Sequence, residues 1–190
     1  MIKKKDSLQS YRKKRNFEKT PEPSGKKKTS GKKSLFVIQE HAASHHHFDF
    51  RIEIDHVLAS WAIPKEITTD PAKKFLAIPT EDHPMDYAHF EGIIPKGQYG
   101  GGTVMVWDIG TYKNLKDMSM QGCYKKGRIE IFLEGKKLKG GYALIRTRRK
   151  DGDNYWLFIK MRDEYANRRI VAPTKSALTS RTMKQIAKEG

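Results

Sequence analysis

The sequence predicts a mainly β protein, a small closed or nearly closed antiparallel β-barrel with short flanking helices and a basic N-terminal tail. Eight short runs rich in β-branched and aromatic residues follow residue 34, and Gly, Pro and Asp separate them. Such runs, with turn residues between them, are typical of antiparallel strands. One run alternates apolar and polar residues without a break, and helical patterns occur only near the two ends. Eight strands in one small domain favour closure into a barrel.

The expected strands follow one another closely along the chain. They are the ranges 35–40, 46–54, 57–63, 74–79, 102–108, 128–134, 141–148 and 154–161. Helical patterns lie at 6–17 and 180–189, where Ser180 is the expected N-cap. The glycine-rich range 92–102 lacks the spacing of a P-loop, and we interpret it as a turn that leads into the strand at 102. Three tryptophans in the strand ranges are expected in the core: Trp61, Trp107 and Trp156.

The charge divides the chain into a basic tail and a more balanced body. Lys and Arg number 38 against 22 Asp and Glu, which gives a formal net charge of +16. Residues 1–34 hold 13 of those bases and three of the acids, with few large apolar residues, so we expect a flexible arm there. The barrel domain is expected at 35–175 and a helical segment at 176–190. The excess charge indicates a polyanionic partner, nucleic acid before others.

We expect neither a membrane partner nor a secretory signal. The N-terminus has charge but no apolar core, and no apolar run approaches the ~20 residues of a membrane span. The single cysteine, Cys123, excludes an internal disulfide and a cysteine-based zinc site. A reducing, cytoplasmic compartment is the expectation that follows.

The strand at 46–54 carries the candidate chemistry. Its apolar and polar residues fall on opposite faces: Phe48, Phe50, Ile52 and Ile54 against His47, Asp49, Arg51 and Glu53. Alternate residues of a strand lie about 6.5–7 Å apart, so an imidazole and a carboxylate on one face can converge on one metal ion. If 35–41 and 46–54 form a hairpin, His41 returns to the same place.

Two imidazoles and one carboxylate, from His41, His47 and Asp49, would form a three-ligand site with open positions for water and substrate. Mn²⁺, Fe²⁺ and Zn²⁺ all suit this donor set. We expect the group at the mouth of the barrel. Arg51 would then lie beside whatever the metal binds.

A second polar cluster lies at 81–87, where a proline biases the preceding residue toward an extended backbone. His83 and Tyr87 are candidates for acid–base catalysis and for hydrogen bonding to an oxyanion. Taken alone, the cluster is better interpreted as a polar turn with a structural tyrosine. His45 and His46 are interpreted as bystanders of the metal group, in the turn and on the apolar face.

Several longer segments, taken in order, carry a family resemblance. They are FVIQEH, HHHFDFRIE, LASWAIPK, EDHPMDYAHFEGIIPKGQYGGGTVMVWD and NYWLFIKMRDEYA, with Leu8, Tyr11, Lys14-Arg15, Phe17 and Thr20-Pro21-Glu22-Pro23 before them and Arg181-Thr182-Met183 after them. Over nearly the whole chain, these segments resemble the 3′-phosphoesterase domain of bacterial DNA ligase D. The resemblance implies a small β-barrel in its free-standing form, without ligase or polymerase modules, in the nucleoid-associated cytoplasm of a prokaryotic cell.

The resemblance also implies an activity, the repair of DNA 3′ ends with Mn²⁺ or another divalent transition metal. A diesterase step removes a 3′-terminal ribonucleoside and leaves a 3′-phosphate. A monoesterase step then removes that phosphate and exposes a 3′-OH for repair synthesis and ligation. The implied substrates are primer-template 3′ ends, and the implied partners are a separate ATP-dependent DNA ligase, a polymerase and Ku, in non-homologous end joining.

Residue by residue, the resemblance implies three sets of roles. The metal ligands would be His41, His47 and Asp49, the catalytic groups Arg51, His83 and Tyr87, and the groups that engage substrate Arg15, Glu22, Lys65 and Glu81. Two positions depart from the family pattern: Asn16 stands where Asp is usual, and Phe75 where a base is common. Both lie in the region that would handle phosphate rather than in the metal group.

Two other functions fit parts of the sequence. A non-haem Fe(II) oxygenase would combine His47 and Asp49 with His83 or His89, but oxygen chemistry does not explain the excess positive charge or Arg51. A non-catalytic DNA-end binder that recruits repair factors would explain the excess positive charge. It would not explain why the candidate metal ligands and catalytic residues occur together. Mn²⁺-driven phosphate release, Fe²⁺-dependent oxygen uptake and binding without turnover distinguish the three functions.

Overall fold

The computed structural model describes residues 6–25, 34–148, 154–168 and 175–189, and their fold is mainly β. The strands are β1 (Leu35–Ala42), β2 (His46–Ile54), β3 (Val57–Ile63), β4 (Lys74–Pro79), β5 (Gly92–Ile94), β6 (Gly102–Asn114), β7 (Arg128–Gly135), β8 (Lys139–Arg148) and β9 (Asn154–Lys160). The helices are α1 (Gln9–Lys13), a 3₁₀ helix (Met85–His89), α2 (Met120–Lys126) and α3 (Met183–Ile186).

Eight of these strands form a closed antiparallel barrel in the order β1-β2-β3-β4-β9-β8-β7-β6, and β6 closes the ring by pairing with β1. This confirms the predicted fold, and each of the eight predicted runs is a strand. The turn interpretation of 92–102 needs one correction. Its first three residues form β5, which pairs with the start of β6 because the apolar Ile93 and Ile94 continue the strand pattern.

The barrel interior is filled by one face of every long strand. Phe50, Trp61, Trp156 and Phe158 are its large members, each at most 2% exposed. Trp107 is also buried, so the predicted core position of all three tryptophans is confirmed. Helix α2 packs against this core through Cys123, with Tyr124 stacked on Trp156 at a ring distance of 5.5 Å.

A second apolar layer covers the outer face of β1 and β6, and this layer positions the site. Val37 and Val104 contribute from the strands, Tyr11 from the N-terminal segment, and Tyr87 and Phe90 from the 3₁₀ helix and the residue after it. The polar face of β2 therefore lies under protein rather than in water. This arrangement explains why polar side chains on a surface strand are buried here.

The two chain ends differ in detail from the predicted elements. Helix α3 is capped by Thr182 rather than by Ser180: its hydroxyl accepts from the backbone N–H of Gln185, whose side chain accepts from the backbone N–H of Thr182. Ser180 has a φ of +59°, whereas an N-cap needs an extended backbone. None of the helices in the described ranges has the length and apolar character needed to cross a membrane.

The predicted division into arm, barrel and C-terminal segment stays a prediction. Residues 6–25 of the expected arm contact the barrel, and Tyr11 is fully buried there. The lysine-rich range 26–33 lies outside the described residues.

Candidate metal centre and active site

The β1–β2 hairpin brings the predicted metal ligands together. Its register places His41 opposite His47 and Gln39 opposite Asp49, so the side chains of His41, His47 and Asp49 share one face. Asp49 Oδ2 lies 3.7 Å from His41 Nδ1 and 3.6 Å from His47 Nε2. These distances are longer than those of good hydrogen bonds. They fit two ligands of one ion, because two atoms that each lie about 2.1 Å from an ion are separated by up to about 4 Å.

The donor atoms of this group suit a metal ion. His47 Nδ1 lies 2.8 Å from the carbonyl oxygen of His45, an arrangement that fixes the proton on Nδ1 and leaves the Nε2 lone pair available. His41 faces Asp49 with Nδ1, and its other ring nitrogen, Nε2, is buried with no hydrogen-bond partner among the described residues. One donor atom from each of the three residues lies within 4.8 Å of the others. The group can therefore bind a metal.

Neighbouring side chains stabilise the negative charge of the Asp49 carboxylate. Burial opposes ionisation of this carboxyl group, but the Arg51 guanidinium and the two imidazoles outweigh it, and together they hold the pKa of Asp49 well below its usual range. Arg51 Nη2 lies 3.2 Å from Asp49 Oδ2. The carboxylate is therefore ionised at neutral pH, as a metal ligand must be.

Arg51 lies among three side chains in the buried site. Its Nε donates to Gln39 Oε1 at 2.8 Å, its Nη1 lies 3.0 Å from His83 Nδ1, and its Nη2 faces Asp49. Gln39 is itself fixed, because its amide donates to the carbonyls of Tyr87 and Phe90. Three contacts occupy at most three of the five N–H donors of the guanidinium, so two remain for an anionic ligand.

His83 lies between two arginines. Its Nδ1 is 2.8 Å from the Glu81 carbonyl, which only accepts, and its Nε2 is 3.2 Å from Arg15 Nη2, which only donates. A neutral ring with its proton on Nδ1 satisfies these two contacts. In that tautomer Nδ1 cannot also accept from Arg51 Nη1, so the 3.0 Å approach of the two nitrogens is a close contact and not a hydrogen bond. Burial, Arg51 and Arg15 together hold the pKa of His83 well below its usual value, so the ring is neutral.

This neutral histidine makes stability depend on pH. The unfolded chain binds a proton at His83 near pH 6.5, and the folded chain does not. The contribution of the His83 side chain to the free energy of unfolding is therefore present above pH 6.5 and is lost as pH falls below that value. We expect the free-energy difference between wild type and His83→Gln to narrow from pH 7 to pH 5, by up to about 1.4 kcal/mol per pH unit below 6.5. Urea unfolding at several pH values with chelator measures it.

The exposed His89 provides the matched control for that experiment, since His89→Gln removes a histidine that lies outside this contact network. Its unfolding free energy should follow that of wild type at every pH. Parallel curves for wild type and His83→Gln would contradict the buried neutral state.

The N-terminal segment completes the site with a network of charges. Arg15 donates to Glu22 and to Glu81, both at 2.9 Å, and also to the carbonyl of Tyr11. Tyr87 donates its hydroxyl proton to the same Glu22 oxygen at 3.0 Å, and burial raises its pKa well above the usual value. Four of the five Arg15 N–H donors are thus directed at protein atoms, counting the contact with His83.

The structure brings together nine of the ten residues named as site candidates from the sequence. Lys65 is exposed after β3, and no hydrogen bond or ion pair joins it to the site in the part of the chain that is described. Because Phe48 pairs with Ile63, Lys65 follows near the His47 end of the group. His46 is exposed and bonds Glu40, as expected of a bystander.

The expected place of the group at the mouth of the barrel stays a prediction. Its side chains lie on the outer face of the barrel wall, because the inward face of β2 carries Phe48 and Phe50, and they are close to the β1–β2 turn at one end of that wall. The oxygenase alternative required His83 or His89 as a ligand, and neither joins the donor group. His83 faces the arginines, and His89 is exposed.

Sequence reasoning missed several residues that contact and orient the candidate site residues. Gln39 orients Arg51, and Ser60 Oγ lies 3.4 Å from His83 Nδ1. The Tyr11 ring packs edge-on against His83 at 5.0 Å and lies 3.9 Å from the Arg15 guanidinium carbon. One signal could have found Gln39: it is a polar residue two positions before His41 on the same face of β1, where the earlier residues of that face are apolar.

Comparisons with known proteins match this chain to one family. The family model described as the DNA ligase D 3′-phosphoesterase domain matches residues 39–146. The multifunctional non-homologous end joining protein LigD of Pseudomonas aeruginosa is 46% identical over 158 residues, which are 82% of this chain and 19% of that protein. The LigD DNA repair protein of Mycobacterium tuberculosis is 45% identical over 160 residues, 84% of this chain and 20% of its own length.

A third relative, LigD of Mycolicibacterium smegmatis, is 42% identical over 164 residues, which cover 84% of this chain and 21% of that protein. The chain therefore spans about a fifth of the length of the curated relatives that it matches. The similarity includes the strands that carry the metal group, since the family model begins at residue 39.

Proposed function

This chain belongs to the DNA ligase D 3′-phosphoesterase family, and from that premise we propose that it is a metal-dependent phosphoesterase that processes DNA 3′ ends. In the proposed reaction it removes a 3′-terminal ribonucleoside, then removes the remaining 3′-phosphate and exposes a 3′-OH. The proposed metal is Mn²⁺. The proposed context is non-homologous end joining, where a ligase, a polymerase and Ku would use the repaired end.

One observation carries this proposal: a buried arginine lies beside a group of two histidines and one aspartate that can bind a metal. Phosphoester anions repel nucleophiles, so a site that cleaves them must neutralise their oxygens. Arg51 has two N–H donors left for that purpose, and its planar fork matches a phosphate. An oxygenase has no need of this arginine.

The residues of the chain divide the work of the proposed reaction. His41, His47 and Asp49 would hold the ion, which when bound supplies a Lewis acid and a water of lowered pKa. Arg51 binds the phosphate oxygens and stabilises the charge that develops on them. Tyr87, protonated because of its burial, is a hydrogen-bond donor.

His83 and Arg15 have more specific proposed roles in the resting site. His83 is neutral, so it can accept a proton before it can give one to a leaving oxygen. Arg15 directs most of its donors to Glu22, Glu81 and His83, so it holds the site together rather than presenting a free cation. Phe75, expected in the region that would handle phosphate, is instead buried in the barrel core, and Asn16 accepts from the backbone N–H of Glu18 outside this network. The assay below measures the balance of the two proposed steps.

The proposed function is tested with a primer-template that carries one 3′-terminal ribonucleotide. With Mn²⁺ we expect a shortened strand with a 3′-phosphate first and a 3′-OH strand later, resolved on one gel across several divalent ions. Oxygen uptake with Fe²⁺ is measured in parallel. No phosphate release with any ion, together with DNA binding, would favour the non-catalytic end binder and overturn the enzyme proposal.

The lysine-rich range 26–33 is expected to act on DNA affinity and not on the chemical step. It carries five lysines that can contact phosphates, whereas the site contacts come from residues 6–25. Replacing the five by serine should weaken DNA binding and reduce the slope of log K against log salt by up to about 4, since each phosphate contact contributes ~0.7–0.9. Turnover at saturating DNA should change less than about twofold.

A variant with the same loss of charge elsewhere provides the control. Five exposed lysines of the body are suitable: Lys113, Lys116, Lys125, Lys126 and Lys188. Their replacement should reduce the salt slope less than the tail variant does. Equal slopes for the two variants would contradict a specific role for the tail.

A further inference from the structure

The loop between β5 and β6 borders the metal group. A Cβ added to Gly100, whose φ is +75°, would lie 3.9 Å from His41 Cε1. At Gly102 the backbone passes so close to the end of β1 that an added Cβ would lie 2.4 Å from the Ala42 carbonyl oxygen. Two successive turns hold the loop, with Gln98 N donating to the Pro95 carbonyl and Gly101 N to the Gln98 carbonyl.

Tyr99 lies in this fixed loop with its side chain open to solvent. It is 48% exposed, and Lys14 Nζ lies 4.5 Å from its ring centroid and 3.1 Å from its hydroxyl. The Arg15 guanidinium carbon is 5.5 Å from the same ring. Both cations also bind Glu81, so the exposed ring is continuous with the charge network of the site.

An isolated aromatic residue on a surface needs no functional explanation. Four large hydrophobic residues are exposed in the described part of the chain: Leu76, Tyr99, Leu115 and Met118. Of these, Tyr99 has contacts with residues of the site. A rigid, half-exposed ring next to cations at the edge of a phosphate site is the arrangement that binds unpaired nucleic-acid bases, because every base offers a π-face.

We propose that Tyr99 is a stacking platform for the base of the nucleotide whose 3′ oxygen carries the phosphoester to be cleaved, with Lys14 beside it for a backbone phosphate. The inference rests on the proposed function, since that function puts a 3′ end at this site. Stacking on an aromatic ring requires a base but does not distinguish one base from another. The platform thereby places an unpaired terminal nucleotide without reading its identity.

The test combines a change in the protein with a change in the DNA. On a 3′-phosphate primer, Tyr99→Ala should lower kcat/KM about tenfold, mostly through KM. Wild type should lose a similar factor when the terminal nucleotide is abasic, and on that substrate Tyr99→Ala should cost less than about twofold further. Tyr99→Trp should keep the preference for a base, and Leu115→Ala is the matched control on an exposed residue away from the site.

A binding measurement separates this inference from the proposed function. With 2-aminopurine as the terminal base and a 3′-OH end, fluorescence should be quenched on binding to wild type and recover with Tyr99→Ala, whether or not phosphate is released. If wild type quenches but never releases phosphate, the proposed function fails and the platform stands. The stacking proposal would be overturned if Tyr99→Ala lowered kcat/KM by the same factor on intact and abasic ends. It would also be overturned if Tyr99→Ala quenched 2-aminopurine fluorescence as strongly as wild type does.

Discussion

Replacing Asp49 with asparagine should abolish phosphate release from a 3′-phosphate primer, with a loss of at least about a thousandfold. Asparagine keeps the shape of the side chain but removes the negative charge that this three-residue group offers to a divalent ion. Lewis-acid assistance contributes several kcal/mol, and each 1.4 kcal/mol is a factor of ten in rate. Chelation of the wild type should reproduce the loss.

Two measurements separate loss of metal from loss of fold. The melting temperature of wild type should rise with Mn²⁺ concentration, because the ion binds the folded state, and that of Asp49→Asn should not. Glu53→Gln is the matched control: Glu53 lies on the same face of β2 and bonds the backbone N–H of Leu35 instead of facing the group. Full turnover by Asp49→Asn, or an equal Mn²⁺-dependent rise in its melting temperature, would refute the metal-centred account.

Convergence of the metal group could be predicted because it depends on local rules. Period-two alternation in 46–54 fixes which side chains share a face, and a short turn fixes the hairpin that returns His41 to His47. Both features involve neighbours in sequence. The same locality explains why the eight strands of the barrel were found and the three-residue β5, with so short a pattern, was not.

Burial of the site could not be predicted, because it depends on distant parts of the chain. The alternation indicates a half-buried strand with its polar face in water, yet Asp49 and Arg51 are only 5% and 3% exposed. Residues 6–25 and the 3₁₀ helix cover them, and no rule of spacing links those segments to β2. Gln39 was missed for the same reason, since its partners are carbonyls about 50 residues away.

Burial of the site strengthens the electrostatic interactions within it. Asp49 and Arg51 are largely shielded from solvent, so each interaction there is stronger than it would be at the surface, and each unpaired group costs more. The N-terminal segment is thus part of the site through Arg15 and Glu22, even though its sequence has the composition of a solvated tail. The predicted domain boundary at residue 34 does not coincide with the boundary of the site.

Arg51→Lys should reduce phosphate release at least about a hundredfold although the charge is kept. The guanidinium reaches Gln39, His83 and Asp49 at once and still has two N–H groups for phosphate oxygens. An ammonium group has three donors on a flexible stem and cannot reproduce this planar set. Buried Gln39 Oε1 would lose its donor, which costs about 1–3 kcal/mol of stability.

The decisive measurement is the rate at saturating DNA and saturating Mn²⁺, where binding defects do not contribute. Mn²⁺ should still raise the melting temperature of Arg51→Lys, because His41, His47 and Asp49 remain, and this separates the variant from Asp49→Asn. Arg146→Lys, at a partly buried arginine outside the site that donates to the Lys125 carbonyl, controls for the substitution itself and should keep full activity. If Arg51→Lys instead turns over within about threefold of wild type, charge alone is sufficient at this position, and the planar fork has no part in stabilising the phosphoester.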